Sequence, residues 1–336
     1  MWYVGVDVHS RMFAICILDQ NGKKIKTRVI RGSLKEMVAV LRRLLKGRRC
    51  QIVYEASSAY GWLYDRFTHI AEKVLVAHPG HLRLIFRSKR KSDRVDAEKL
   101  AKLLYLDQVP LVHVPIPAVR SWRGMIEHRK RTVDKRTRAK NALRALLRTH
   151  AIDAPKSLWS IKGRAWLAQV PFAQAADAVR RDMLLEDVEH FTRQIRRVEK
   201  ALDVIGKRHP GVMLLRTIPG IGPRTAEAVM AYIDQPRRFR RNKSIGTYFG
   251  LVPCEDSSVK QRFGHITRQG PPTVRRLLVE ATWQAIRRDA TIRAYYDRIR
   301  RGEKERKKIA LVATAHHLAR VMLSMLTTGE PWREAS

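Results

Sequence analysis

A carboxylate set inside an apolar, β-branched run constrains this chain more than any other feature. Residues Trp2 to Ser10 read Trp-Tyr-Val-Gly-Val-Asp-Val-His-Ser, a short stretch bounded by polar residues with the pattern of a buried strand. Its acid, Asp7, must be hydrogen-bonded, paired or bound to a cation, because an isolated buried charge is very costly. Phe13 to Leu18 predicts a second strand, Asn21-Gly22 a hairpin turn, and Lys24 to Ile30 a third strand. The chain is therefore expected to open as an antiparallel meander with an acid on its first strand. Taken alone, Asp7 reads as readily as a turn or capping residue; three further acids change that.

After the meander, Ser33 and Glu36 have capping-box spacing, and Leu34, Met37, Val38, Leu41, Leu44 and Leu45 share one face of a helix that Gly47 ends. The strand predicted over Gln51 to Tyr54 leads straight into Glu55, a second carboxylate at the end of a buried strand. A helix from about Gly61 to Glu72 and a strand over Val74 to Ala77 continue the α/β alternation. Ser92 or Asp93 can cap a further helix in which Asp93 and Asp96 stand three apart, on one face. The plain alternative for that pair is a solvated helix start, where the helix dipole favours acids. Together Asp7, Glu55, Asp93 and Asp96 supply the hard oxygen ligands that Mg2+ takes, and two such ions can clamp the attacking and leaving oxygens of a phosphodiester. The element order suits a ribonuclease H-like sheet.

Charge points to the same class of substrate. Lys and Arg number 68 against 31 Asp and Glu, a net charge of +37 at pI near 11.0. Solubility needs far less, so the excess implies a polyanion, nucleic acid being the commonest. With 336 residues, 45% of them hydrophobic, the chain has more than one core and is not a disordered basic tail. Cys16, Cys50 and Cys254 show no CxxC spacing and read as reduced residues, neither a zinc site nor a disulfide framework. No signal-peptide pattern opens the chain and no apolar run reaches spanning length, so the expectation is a soluble cytoplasmic protein with no membrane partner.

Prolines between Pro110 and Pro117 mark a connector, and from Val119 to about His150 runs a long helix rich in cations, among them Arg129, Lys130 and Arg136. Its nearly single-signed surface favours a backbone-binding helix for DNA or RNA over a plain solvated face. Leu184, Val188, Phe191, Ile195, Val198, Leu202 and Ile205 step by four and three. That is a heptad seam, to be closed within the chain or between protomers; an ordinary bundle helix is the alternative. Residues 214–228 then read Leu-Leu-Arg-Thr-Ile-Pro-Gly-Ile-Gly-Pro-Arg-Thr-Ala-Glu-Ala. This predicts a helix-hairpin-helix in which Gly220 and Gly222 offer backbone N–H groups to a phosphate beside Arg224, a plain interhelical turn being the alternative. Beyond it, Ser257 and Ser258 lie in a polar stretch with Lys260, Arg262 and Arg268 nearby. A serine hydroxyl there needs activation by a base or by cations that bind its electrophile.

The series Tyr3-Val-Gly-Val-Asp7, Tyr54-Glu55-Ala-Ser, Lys91-Ser-Asp93-Arg-Val-Asp96, Ile218-Pro-Gly-Ile-Gly222 and Gly250-Leu-Val-Pro253 followed by Ser-Ser and Gly270 resembles the DEDD transposases of insertion sequences. These are related to Piv-type DNA invertases and understood as bridge-RNA-guided recombinases. The resemblance covers nearly the whole chain in order. It implies an α/β plus α fold: a RuvC-like catalytic domain over 1–115, a basic helical and coiled-coil region over 116–207, and a mainly helical C-terminal transposase domain with helix-hairpin-helix over 208–336. It implies that Asp7, Glu55, Asp93 and Asp96 hold Mg2+ and that a serine five residues after Pro253, Ser258, attacks the DNA phosphate to form a covalent phosphoserine. Val259 and Lys260 stand where members usually carry glycine, which leaves the choice between Ser257 and Ser258 open, with Ser258 favoured. The implied partners are target and donor DNA, a structured guide RNA, and further copies of the chain as a dimer of dimers. The alternative function is a metal-dependent Holliday-junction resolvase-like nuclease with water as nucleophile; a scaffold that only binds nucleic acid is a third.

Overall fold

The computed structural model describes residues 1–85, 92–256 and 262–333, with the side chains of Asp256, Arg262 and Phe263 left aside. The chain divides into two compact units, 1–120 and 121–336.

In the first unit, strands β1 (Trp2–His9), β2 (Met12–Leu18) and β3 (Lys24–Arg31) form the antiparallel meander. Helix α1 (Leu34–Leu45) crosses over to β4 (Cys50–Glu55), and α2 (Tyr60–Phe67) to β5 (Lys73–Ala77), followed by α3 (Pro79–Ile85) and α4 (Asp93–Tyr105). The sheet order is β3-β2-β1-β4-β5, with β4 parallel to both β1 and β5. Ser33 caps α1 in the expected capping box: its backbone N–H donates to Glu36 Oε2 at 2.7 Å, and its hydroxyl accepts from Glu36 N. The first hairpin differs from the two-residue turn predicted. Asp19 Oδ1 accepts from Asn21 N and Lys23 N at 2.8 and 2.9 Å, so an Asx turn leads a longer loop in which Gly22 supplies the positive φ. Helix α2 also stops before the expected Glu72, because Ile70 and Ala71 turn inward onto the core and Glu72 N–H donates to the Cys50 carbonyl.

Alternation along the strands gives the sheet two different faces. Val4, Val6, Phe13, Ile15, Ile17, Ile52 and Tyr54 pack large side chains against Met37, Leu41, Leu45, Leu63 and Phe67 of α1 and α2. On the other face Ala14, Cys16 and Leu18 meet Ala97 and Ala101 of α4. Gly5 lies there too. A Cβ on Gly5 would sit 2.1 Å from the Ala97 carbonyl oxygen and 2.5 Å from Ala101 N, so α4 rests directly on the backbone of β1. The proline-rich connector runs beside the sheet edge, with His78 N–H donating to the Pro110 carbonyl and Val112 N–H to the Val76 carbonyl.

The second unit is helical. Helix α5 (Pro117–Thr149) runs into it and is followed by α6 (Ile161–Gln169), α7 (Ala175–Gly206), α8 (Pro210–Leu215), α9 (Pro223–Ile233) and α10 (Ser244–Phe249). A two-stranded ladder, β6 (Pro253–Asp256) and β7 (Arg262–Ile266), precedes α11 (Pro272–Arg288), α12 (Ala290–Arg300) and α13 (Lys307–Thr328). The heptad seam of α7 closes within the chain, antiparallel to α5. Arg129 pairs with Glu199, Lys135 lies over the Phe191 ring, and Leu143 and Leu147 share a cluster with Val188. The seam ends at Leu202, since Ile205 is exposed. Ladder β6–β7 and α12 were not foreseen: β6 lacks an apolar alternation, and the start of α12 depends on Asp289, whose Oδ1 accepts from Ile292 N at 2.8 Å. Cys16 and Cys50 are buried free thiols, while Cys254 is exposed. Among the described residues α13 has the length and apolar composition to cross a bilayer, against the expectation of no such run. It packs Leu311, Leu318, Met322 and Leu323 into the core of this unit.

Gly5→Ala should force α4 off β1, because the obstructing atoms are backbone and cannot rotate away. The expected cost is about 1–3 kcal/mol or more, the scale of core overpacking. Hydrogen exchange should show the loss of protection concentrated at 93–105 rather than spread through the helical unit.

Candidate active site

Strand register brings the first two acids side by side. Val6 pairs with Tyr54 across the parallel β1–β4 ladder, so Asp7 and Glu55 occupy the next positions on adjacent strands, on the face that α4 covers. Ser92 caps α4, its Oγ accepting from Val95 N at 3.3 Å, and the first turn then carries Asp93 and Asp96. Asp7, Glu55 and Asp96 line one cavity of about 200 Å3 with Pro79, Leu82, Arg83 and Leu100. Asp93 joins through a histidine: His9 Nε2 lies 3.3 Å from Asp7 Oδ2 and 3.4 Å from Asp93 Oδ1. The four sequence-predicted acids thus converge in one region of the first unit.

Electrostatics there are unfavourable for the acids alone. Burial raises the Asp7 carboxyl above its ordinary value, His9 opposes that shift, and repulsion from Asp93 and Asp96 adds to it. Asp96 has Lys99 Nζ at 3.1 Å. His9 and Arg83 were not singled out in the sequence, although His9 stands two residues after Asp7 and hence on the same strand face. Hard carboxylate oxygens gathered on two strand ends and a helix N-terminus are a donor set suited to a divalent cation.

Ser257, Ser258 and Lys260 lie outside the described residues, as does the side chain of Arg262. Arg268 is exposed on a left-handed backbone position, φ 54°.

The residues expected to contact nucleic acid fall into two groups. Arg129 donates Nε and Nη2 to Glu199 Oε1 at 2.8 and 2.6 Å, and Lys130 pairs with Asp134. Arg224 pairs with Asp203 and lies 2.9 Å from Glu227, a carboxylate only 1% exposed whose burial pushes it up to about 7. These three cations are held by internal acids. Arg136 belongs to the second group. Its neighbour Lys140 is held below the usual ammonium range by burial and then by Arg136, Arg144 and Arg164, and Lys140 and Arg144 flank the Trp159 ring at 4.6 and 5.6 Å. Lys140 thus stands among cations of its own helix and of α6. In the α8–α9 turn, a Cβ on Gly220 (φ +89°) would meet Ala285 N of α11 at 2.5 Å, so packing alone requires that glycine. Gly222, preceding Pro223 at the start of α9, faces open space.

Residues 4–152 match the family model of the DEDD transposases of IS110 elements, and residues 212–297 match one described as Transposase IS116/IS110/IS902 family. The chain is similar to the transposase for insertion sequence element IS1111A of Coxiella burnetii, with 24% identity over 347 residues covering 98% of this chain and 91% of that protein. It is 25% identical over 285 residues to the transposase for IS1328 of Yersinia enterocolitica, covering 82% and 81% of the two chains. The transposase for IS1533 of Leptospira borgpetersenii matches at 22% over 302 residues, 84% of each.

The raised Asp7 carboxyl makes a stability prediction whose sign is fixed. Folding favours its protonated form, so its contribution is fully present below the unfolded carboxylate value of about 3.9 and is lost as pH rises through the higher folded value. In metal-free protein Asp7→Asn should therefore melt above the wild type at pH 7, with the difference closing towards pH 4. A divalent cation should stabilise the wild type more than the variant.

Proposed function

This chain carries, in order, the two domains of the IS110/IS116 family of DEDD transposases, enzymes that cut and rejoin DNA, and from that premise we propose how its residues divide the work. The observation that carries the reading is the convergence of Asp7, Glu55 and Asp96 on one cavity with Asp93 beside Asp7 through His9. In this reading the four acids hold Mg2+. Bound there, the cation supplies polarisation of the scissile phosphate and stabilises charge on its oxygens. The meander followed by two parallel strands, with acids at the strand ends, supports a ribonuclease H-like, RuvC-type catalytic domain.

Ser258 is the proposed nucleophile, with Ser257 as its neighbour and alternate. Its oxygen bonds to phosphorus as the P–O bond of one DNA strand breaks, and the proton lost by the serine hydroxyl passes, directly or through solvent, to the leaving DNA oxygen. A DNA hydroxyl then attacks the phosphoserine and releases the serine, so the phosphodiester bond energy is conserved and no external energy source is needed. The α8–α9 pair with its glycine turn supports a helix-hairpin-helix role in gripping DNA backbone, Gly222 leaving the start of α9 open. The clustered cations Arg136, Lys140 and Arg144 support a nucleic-acid surface on α5, which this reading gives to a structured guide RNA that selects target and donor DNA. Copies of the chain act together as a dimer of dimers, and the three-part division at about 115 and 207 describes the functional segments.

Two experiments separate this reading from hydrolysis by activated water. Ser258→Ala should abolish a covalent protein–DNA adduct on denaturing gels and reduce strand exchange by several orders of magnitude; normal cleavage without an adduct would sink the recombinase reading. Recombination retained after Asp7→Asn with Glu55→Gln would remove the acids from the chemistry. For the basic helix, Arg136→Glu with Lys140→Glu and Arg144→Glu should weaken RNA binding and reduce the slope of log K against log salt by about 0.7 per lost phosphate contact. Arg129→Ala should instead act on stability, since Arg129 is engaged with Glu199 of α7.

A further inference from the structure

His9 sits inside the acid cluster, and nothing in the proposed chemistry uses it. Its Nε2 is 3.3 Å from Asp7 Oδ2 and 3.4 Å from Asp93 Oδ1, and single ligand atoms of the three residues all lie within 4.8 Å of one another. Cis ligands of an octahedral ion held at about 2.1 Å would stand about 3.0 Å apart, and the two His9 contacts are near that spacing. The arrangement follows from the strand. Asp7 and His9 leave the same face of β1, at the end where α4 presents Asp93.

Asp7 is shared between two donor sets of different chemistry. With Glu55 and Asp96 it lines the cavity, an all-oxygen set. With Asp93 and His9 it belongs to a set that includes nitrogen. Carboxylates alone suit Mg2+, whereas an imidazole raises relative affinity for first-row transition ions.

Resting on the assignment of the four acids as a metal site, we infer that His9 is a direct ligand of a cation held by Asp7 and Asp93, and that this imidazole-bearing position prefers transition-metal ions to Mg2+. The site chemistry is then mixed, one position defined by oxygen donors and the other by oxygen and nitrogen.

The test uses the full chain stripped of metal and titrated with Mn2+ as a spectroscopic probe, in the wild type, His9→Ala, His9→Asn and Asp7→Asn, each checked for an unchanged melting profile of the helical unit. Pulsed electron paramagnetic resonance of the wild type should show the nitrogen coupling of a directly bound imidazole. Both His9 variants should lose that coupling, and their preference for Mn2+ over Mg2+ should fall by about tenfold or more, the scale on which even the outer partners of metal ligands act. If the wild type lacks the coupling, or the His9 variants keep it, the inference is overturned, while Mn2+ released by Asp7→Asn would leave the assignment of the acids standing. If Asp7→Asn binds Mn2+ as the wild type does, that assignment falls and the role of His9 with it.

Discussion

The contact on which the first unit depends is one of backbone against backbone. Because residue 5 has no side chain, the Ala97 carbonyl and Ala101 N–H of α4 occupy space where a Cβ would be. The alanines and the glycine bring helix and strand together at a spacing that larger residues could not reach, and they do so one turn beyond the acids. Asp96 and Asp93 are thereby lowered onto the end of β1, where Asp7 stands next to Glu55. The opposite face of the same sheet is packed with large side chains from α1 and α2. That bulk gives the sheet its stability and leaves the α4 face free to be specialised for close approach.

Close approach has an electrostatic consequence. Four carboxylates in one region repel, and burial of Asp7 removes water that would otherwise screen the repulsion. The structure offsets this with the N-terminal dipole of α4 under Asp93 and Asp96, with Lys99 beside Asp96, and with His9 between Asp7 and Asp93. Each of these compensates the cluster only in part. A divalent cation can answer several carboxylates at once with its full charge, which supports the proposed reading of the donor set as a binding site.

Much of this was legible in the sequence because it depends on short periods. The alternation of β1 and the three-residue step from Asp93 to Asp96 assign faces without any tertiary information. Heptad spacing placed the α7 seam in the same way, although its closure on α5 within the chain could not be read from spacing. Features set by single side chains were not visible: Asp19 reorganising the first hairpin, Ile70 and Ala71 ending α2 early, and Asp289 starting α12. His9 was within reach of the same period-two argument that placed Asp7. Arg83 was not, since it comes to the cavity from α3, and nothing local ties that helix to β1.

Net charge was the least resolving of the sequence signals, and the second unit shows why. A run of cations on α5 reads as one surface, yet acids answer only part of it: Glu199 of α7 pairs with Arg129, and Asp134 of α5 itself pairs with Lys130 and with Arg276 of α11. Further along α5, among the described residues, no acid pairs with Arg136, Lys140 or Arg144, and repulsion from the two arginines is felt at Lys140. Ion pairs within the fold are short-ranged and largely self-cancelling, whereas unopposed cations sum into a field that reaches beyond the surface. The capacity of this helix to hold a polyanion is therefore graded along its length, set by where its neighbours place carboxylates rather than by how many lysines and arginines it carries.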